Sequence, residues 1–422
     1  MRFVALIAAT KSRNCCFSGL PARQIATIEY GSATAYTRES GCLPLYPVSM
    51  SIFMARSAPR IRAARQGPQQ REGLMFFASD NWAGAHPLIA ESLAREASGY
   101  ASAYGTSDLD RRIEAQFNEI FEREVAVFFV GTGTAANSLA LASVARAGGV
   151  TFCHFDAHVN ADEGGAPEYL THASRLYPVE GENGKLDPAA LKTAVSRFDV
   201  PSVHQGRPMA VTMTQATEAG TIYTLDEIAE IGIIARSRRL PLHMDGARFA
   251  NALVALDCTP AEMTWKRGVD ILSFGATKNG CWCAEAIVFF NPDMAEEMPY
   301  IRKRSAQLFS KTRFVSAQLE AYLKDNLWLD LARHANAMAE RLRLGLAASN
   351  RARLAWETQS NEVFAVVPRE RARAAEAKGA KFYEWLAPRE NPHLAGEDEM
   401  LIRLVTSFAS TSEDVDRFLE LL

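Results

Sequence analysis

Leu242-His243-Met244-Asp245-Gly246-Ala247-Arg248, answered further along by Ser273-Phe274-Gly275-Ala276-Thr277-Lys278-Asn279-Gly280, is the pair of segments on which the reading of this chain turns. Residues 240 to 244 form a short, mostly apolar run that stops at Asp245, and residues 269 to 274 form a second that leads through Gly275 to Lys278. Runs of this length, broken by glycine, read as buried strands of an open α/β sheet, where ligands bind beyond the carboxyl ends of the strands. A carboxylate at such an edge can face a pyridinium nitrogen and keep it protonated, so that the ring accepts an electron pair from a substrate carbon. A lysine whose ammonium form is disfavoured by burial or a neighbouring cation can form a Schiff base. Gly246 reads as a missing side chain that lets a flat ring approach the backbone. Taken singly, Asp245 has the plainer reading of a turn or cap residue and Lys278 of a solvated charge. Together they predict a site for pyridoxal 5'-phosphate (PLP), with Asp245 on the ring nitrogen and Lys278 as covalent anchor.

Outward from this pair the pattern is regular. Strand-like runs over 125–130, 151–154, 209–214, 240–244, 271–274 and 286–290 alternate with helix-like stretches over 111–121, 134–146 and 225–236. This alternation predicts parallel strands joined by crossover helices, an α/β fold with a mainly parallel central sheet and flanking helices. Beyond residue 300, helical patterns cover 311–326 and 332–348; strands over 363–367 and 401–406 then mix with helices over 370–385 and 412–421. The expected organisation is a large domain over 74–325 and a smaller α+β domain over 326–422. Between the first strand and its helix, Gly131-Thr132-Gly133-Thr134 offers backbone amides, a helix dipole and two hydroxyls, so Thr132, Gly133 and Thr134 are candidates for an anion cradle. A turn that merely caps the helix is the plainer reading, and the segment lacks the lysine of a P-loop and the longer dinucleotide fingerprint. His158 follows the next strand, where an imidazole can stack on a cofactor ring and serve as acid or base.

Composition agrees. A chain of 422 residues, 48% hydrophobic and 23% charged, with a net charge of −3, can bury a large core and carries no field that favours nucleic acid or a membrane surface. Its apolar runs are shorter than a bilayer span. The expected partner is a small amino-acid substrate, with neither nucleic acid nor membrane. Seven cysteines, an odd and scattered count, do not make a disulfide framework, and the Cys281/Cys283 pair has no second cluster with which to hold a metal. No metal centre is expected, and the compartment is read as reducing and cytoplasmic. Residues 1–73 differ: rich in arginine, with Glu29, Glu39 and Glu72 as their acids and no sustained periodicity. They are similar to a transit peptide, and 3–9 faintly to a signal sequence. The preferred reading is an extension upstream of the true start, with Met50, Met54 or Met75 as initiator.

The ordered set of motifs resembles the low-specificity L-threonine aldolases of the aspartate aminotransferase-like, fold type I PLP enzymes. The resemblance runs from about Phe76 almost to the last residue. It rests on Phe77-Ala78-Ser79-Asp80-Asn81, Ala103-Tyr104-Gly105, Phe128 to Leu141, Ala157-His158, Gly164-Gly165-Ala166-Pro167-Glu168, Thr214-Gln215-Ala216-Thr217-Glu218, His243 to Phe249 and Gly275 to Gly280. It implies that Lys278 binds PLP covalently, that Asp245 meets the ring nitrogen, and that His158 stacks on the ring and moves protons. It further implies that Thr132, Gly133 and Thr134 hold the phosphate, Arg248 lies near the phenolic oxygen and the substrate, and Ser79 with Arg403 clamps the substrate carboxylate. Arg313 resembles an arginine that reaches the phosphate of a neighbouring subunit, in a homotetramer built as a dimer of dimers. The plainer readings are a helix cap for Ser79, a surface charge for Arg403 and a solvated helix charge for Arg313. The implied reaction is retro-aldol cleavage of L-threonine, L-allo-threonine or an aryl relative to glycine and an aldehyde. β-Elimination, transamination and a catalytically silent scaffold stay open as alternatives. Two departures stand out: Thr106 and Ser107 precede Asp108 where many members have acids, and Gln215-Ala216-Thr217-Glu218-Ala219-Gly220 replaces a segment that carries a second active-site histidine in one branch.

Overall fold

The computed structural model describes residues 73–200 and 202–422, so the expectations for the N-terminal stretch fall, but for Gly73, outside the described residues. Seven strands form the main sheet: β1 (Ala126–Val130), β2 (Gly149–His154), β3 (Arg175–Val179), β4 (Arg207–Thr214), β5 (Leu242–Gly246), β6 (Ile271–Gly275) and β7 (Glu285–Phe289). Their order is β1-β7-β6-β5-β4-β2-β3. Only β7 runs against its neighbours; β3, β2, β4, β5 and β6 pair in parallel. β5, β6 and β7 are buried at every position, as strands covered on both faces must be.

Helices α1 (Pro87–Glu96), α2 (Asp108–Ile120), α3 (Gly133–Val144), α4 (His158–Ala161), α5 (Leu225–Ser237), α6 (Phe249–Leu256), α7 (Arg313–Leu323), α8 (Leu327–Ala348), α9 (Arg369–Ala377) and α10 (Ser412–Leu421) are the ones that matter for the site and its frame. α3 is buried all round, from Ala135 to Leu141, and packs on β6 and β7. Between α7 and α8, Asp325 and Asn326 take left-handed φ of 53° and 60°, which ends the expected 311–326 helix at Leu323.

A second, antiparallel sheet follows: β8 (Arg353–Leu354), β9 (Glu362–Pro368), β10 (Tyr383–Glu384) and β11 (Glu399–Val405), in the order β10-β11-β9-β8. Leu342 and Leu346 of α8, with Val415 and Phe418 of α10, pack on Val363, Ala365, Ile402 and Leu404 of this sheet.

One further expectation needs correction, and one strand was missed. The helix expected over 370–385 stops at Ala377, because Gly379 takes a φ of 101° and its Cα lies so close to the Gly73 carbonyl that a side chain cannot fit. The chain then runs extended through 380–381 and 383–384, which sets Tyr383 opposite Arg403. Strand β3 was not expected; its Pro178 breaks a strand pattern, and β3 is tolerated because it lies at the sheet edge.

Candidate active site

The parallel strands all end at one edge of the main sheet, and the loops beyond them enclose a cleft of about 840 Å³. Asp245 is the penultimate residue of β5, and Lys278 sits in the 3-10 turn Thr277–Asn279 after the neighbouring, parallel β6. Both line the cleft, with Ser79, Thr132, Gly133, Thr134, His158, Arg248 and Arg403. Arg313 is not among the lining residues of this chain; at the start of α7 it donates to the Gly99 carbonyl at 3.4 Å and lies over the Phe314 ring. A Cβ at Gly246 would lie 2.6 Å from the Ser273 carbonyl, so the glycine serves the close approach of β5 to β6.

The cradle is the open end of α3. Thr132 caps it, accepting from the Ala135 amide at 3.1 Å, and its carbonyl takes the Ala136 amide at 3.0 Å. The Gly133 and Thr134 amides are thereby left for a ligand, and no acid in the first turn opposes the helix dipole. Gly131 donates to Gln307 Oε1 at 3.2 Å and accepts from the Cys283 thiol at 2.9 Å. A Cβ at Gly131 would strike the Phe309 ring at 2.8 Å, so the neck of the cradle admits only glycine.

Around Asp245 the polar groups are locked. Its Oδ1 accepts from the Ala247 amide at 3.0 Å and its Oδ2 from Asn137 Nδ2 at 2.7 Å. Asn137 Nδ2 also reaches Glu163 Oε1 at 2.9 Å, and that oxygen lies 2.9 Å from His158 Nδ1. The bond from Glu163 raises the imidazole above its ordinary value against the pull of burial, and burial in turn pushes Glu163 upward. The His158 backbone amide donates to Glu218 Oε1 at 2.7 Å. Burial, reinforced by the nearby Asp245 charge, lifts Glu218 to about 7; burial likewise lifts Glu285, at the mouth of β7, to about 7. Behind Asp245 on the same strand, His243 is held between Thr212 Oγ1 at 2.8 Å and Ser273 Oγ at 2.9 Å. Burial drops it to about 4, so it is a neutral structural histidine.

The opposite wall carries the arginines. Arg248 grips Asp80 through Nε at 2.8 Å and Nη2 at 3.1 Å, and its Nη1 lies 3.2 Å from Glu362 Oε2. Burial works to raise Asp80, but Arg248 and Lys278 outweigh it and hold the carboxyl below its usual range. Arg403, on β11, stacks 4.2 Å from the Trp385 ring centre and 5.7 Å from that of Tyr383. Its Nη1 is 3.8 Å from Glu362 Oε1, and its Nε is buried without a partner among the described residues. Ser79 caps the turn Asp80–Trp82 by accepting from the Asn81 amide at 3.1 Å, and it also lines the cleft, so its plainer reading and its place in the site coexist.

This donor set fits PLP. An amine and a carboxylate from adjacent strand ends suit the aldehyde and ring nitrogen, two free helix amides suit a phosphate, and an unpartnered guanidinium N–H suits a substrate carboxylate. Asn137, Glu163, Glu218, Glu285, Asp80, Glu362 and Trp385 were given no role by sequence reasoning. A signal existed for Asn137, a lone amide in the apolar helix run Ala135-Ala136-Asn137-Ser138-Leu139-Ala140-Leu141. For Glu362 and Trp385 there was none, since their place depends on which strands of the small sheet pair.

Comparison with known proteins agrees with the geometry. A sequence model of the beta-eliminating lyase family matches residues 77–369. The low-specificity L-threonine aldolase of Pseudomonas aeruginosa is 42% identical over 311 residues, 74% of this chain and 89% of that protein. The Candida albicans low-specificity L-threonine aldolase is 30% identical over 42% of this chain and 48% of its own. A solved threonine aldolase structure from Leishmania major superposes with a TM-score of 0.75 at 28% identity, covering 82% of this chain and 97% of that one. Rhodiola rosea 4-hydroxyphenylacetaldehyde synthase, with a TM-score of 0.62 at 16% identity over 83% and 82% of the two chains, shares the fold alone. With a family match across most of its length, and with the fold of a solved threonine aldolase, the chain belongs to the beta-eliminating lyases and, among them, to the low-specificity threonine aldolases.

Proposed function

We propose that the protein is a PLP-dependent aldolase that cleaves L-threonine, L-allo-threonine and related β-hydroxy-α-amino acids to glycine and an aldehyde. The observation that carries this reading is the meeting of Lys278 and Asp245 in one cleft from the ends of adjacent parallel strands. PLP, when bound, supplies an aldehyde that takes the substrate's amino group and a ring that accepts the electron pair released at Cα. Lys278 would hold it through the amine, Asp245 at the ring nitrogen, Thr132, Gly133 and Thr134 at the phosphate, His158 on the ring face, and Arg248 near the phenolic oxygen.

The chain's own residues then orient and move protons. Ser79 and Arg403 bind the substrate carboxylate, which fixes which bond at Cα stands perpendicular to the ring and so which bond breaks. His158, or a water it positions, takes the β-hydroxyl proton, and Glu163 steadies the charge that results on the imidazole. Arg248 is already saturated on one side by Asp80 and Glu362, so it serves as a rigid positive wall rather than a mobile clamp. Trp282, Tyr383 and Trp385 give the cleft aromatic surface, which favours aryl substrates such as phenylserine as a second class.

Arg313 is assigned to the phosphate of a neighbouring subunit in a homotetramer, and residues 74–325 and 326–422 to the large and small domains. A reducing compartment, the cytoplasm, suits the free thiols of Cys153, Cys258, Cys281 and Cys283. Among the described residues no helix is long and apolar enough to cross a membrane. The test is a product assay across several β-hydroxy amino acids, with Lys278→Ala as control. Glycine and an aldehyde are expected from the parent and neither from the variant; ammonia or a keto acid instead would transfer the protein to elimination or transamination.

A further inference from the structure

Asp245 and His158 belong to different segments of the cleft wall, yet one unbroken run of hydrogen bonds joins them. It passes from His158 Nδ1 to Glu163 Oε1 at 2.9 Å, from that oxygen to Asn137 Nδ2 at 2.9 Å, and from Asn137 Nδ2 to Asp245 Oδ2 at 2.7 Å. The Glu163 side chain has 0% exposure, and Asn137 and Asp245 have 2% and 3%. An amide nitrogen that meets two carboxylates has only one tolerable orientation, because the flipped amide would turn its carbonyl oxygen on both negative charges. Asn137 Oδ1 is accordingly left buried and unpartnered among the described residues. A protein keeps such an orphan where the donors opposite it are committed.

We propose that Asn137 and Glu163 are positioning residues that connect the His158 imidazole to the Asp245 carboxylate, so that a change at Asn137 is transmitted to His158. The bridge is a property of the folded chain; only what its two ends face rests on the PLP reading above. Four ionisable groups surround the imidazole. Glu163 comes from the loop after α4, Asp245 from β5 and Lys278 from the turn after β6, while Glu218, from the loop after β4, accepts the His158 amide. Glu163 and Asp245 favour the imidazolium, and burial and Lys278 oppose it. Burial pushes Glu163 toward its neutral form, and the bonds from His158 and Asn137 pull it back. Removing the Asn137 donor therefore leaves a carboxyl that protonates more easily and pairs more weakly with the imidazolium. A change at Asn137, which does not touch His158, is felt there all the same.

The experiment is a ¹³C NMR titration of histidine-labelled holoenzyme, with the His158 signal identified by its loss in His158→Asn. The His158 midpoint is expected to fall by about one pH unit in Glu163→Gln and by about half a unit in Asn137→Leu. The acid limb of kcat/KM should move by the same steps. A midpoint unmoved in Asn137→Leu overturns the bridge, and so does one unmoved in Glu163→Gln. If Asn137→Leu does not fold, the reverse direction decides: Glu163→Gln, which makes no hydrogen bond of its own to Asp245, must shift the visible absorption titration of the bound cofactor, and no shift overturns the proposal. Loss of the aldolase reading with the His158 shifts intact would sink the function and leave the bridge standing.

Discussion

Two ionisable side chains of the cleft, His158 and Glu285, have a measurable signature. His158 is raised above 6.5, and its proton-accepting form grows as pH rises through that raised value. The acid limb of kcat/KM should therefore lie above 6.5, and His158→Asn should abolish the limb at a loss of between about 10² and 10⁴ in rate. Glu285 gives a stability test on the cofactor-free chain. Its ordinary value of 4.5 rises to about 7 on burial. Below 4.5 the group is neutral in both states; from there to 7 the unfolded chain ionises while the folded chain keeps its proton, so the stability it contributes is lost as pH rises. Glu285→Gln should match the parent near pH 4.5 in chemical denaturation and gain on it up to pH 7, by as much as about 3 kcal/mol. The residues that meet in the cleft were legible in the sequence, because Lys278, Asp245, His158 and the Gly131–Thr134 turn each stand just past an apolar run. Their supports were not. Asn137 and Glu362 act through partners far away in the chain, which no local pattern announces; Glu163 lies five residues from His158, but its bond to Asn137 spans 26.

At the level of helices and strands, glycines with fixed duties are the sensitive points. Gly379→Ala meets both a φ of 101° and the Gly73 backbone, so α9 could not hand over to the extended chain beyond it. A loss of order 1–3 kcal/mol is expected, with Arg403 loosened as well, read as a lower thermal midpoint and a raised KM for amino acids. Thr132→Ala removes the cap of α3, at about 1 kcal/mol, and should weaken cofactor affinity in a fluorescence titration. Periodicity predicted most of the main-sheet strands and the helices α2, α3, α5 and α10 because each carries a continuous apolar face. It failed where a tertiary contact set the outcome. The Arg/Ala-rich run after 369 keeps a helical pattern beyond Gly379, but the left-handed φ of 101° at that glycine, with the Gly73 backbone packed against it, stops the helix.

For the molecule as a whole, sheet order was the least legible feature, since nothing local says that β7 inserts between β1 and β6 in reverse. Assembly offers a direct check. If Arg313 serves a neighbour's phosphate, light scattering should find a tetramer, and Arg313→Ala should lower cofactor affinity without unfolding the chain; an active monomer would contradict it. The cleft takes its lining from Ser79, near the start of the described chain, to Arg403, near its end, so its wall closes only once nearly the whole of that length has folded.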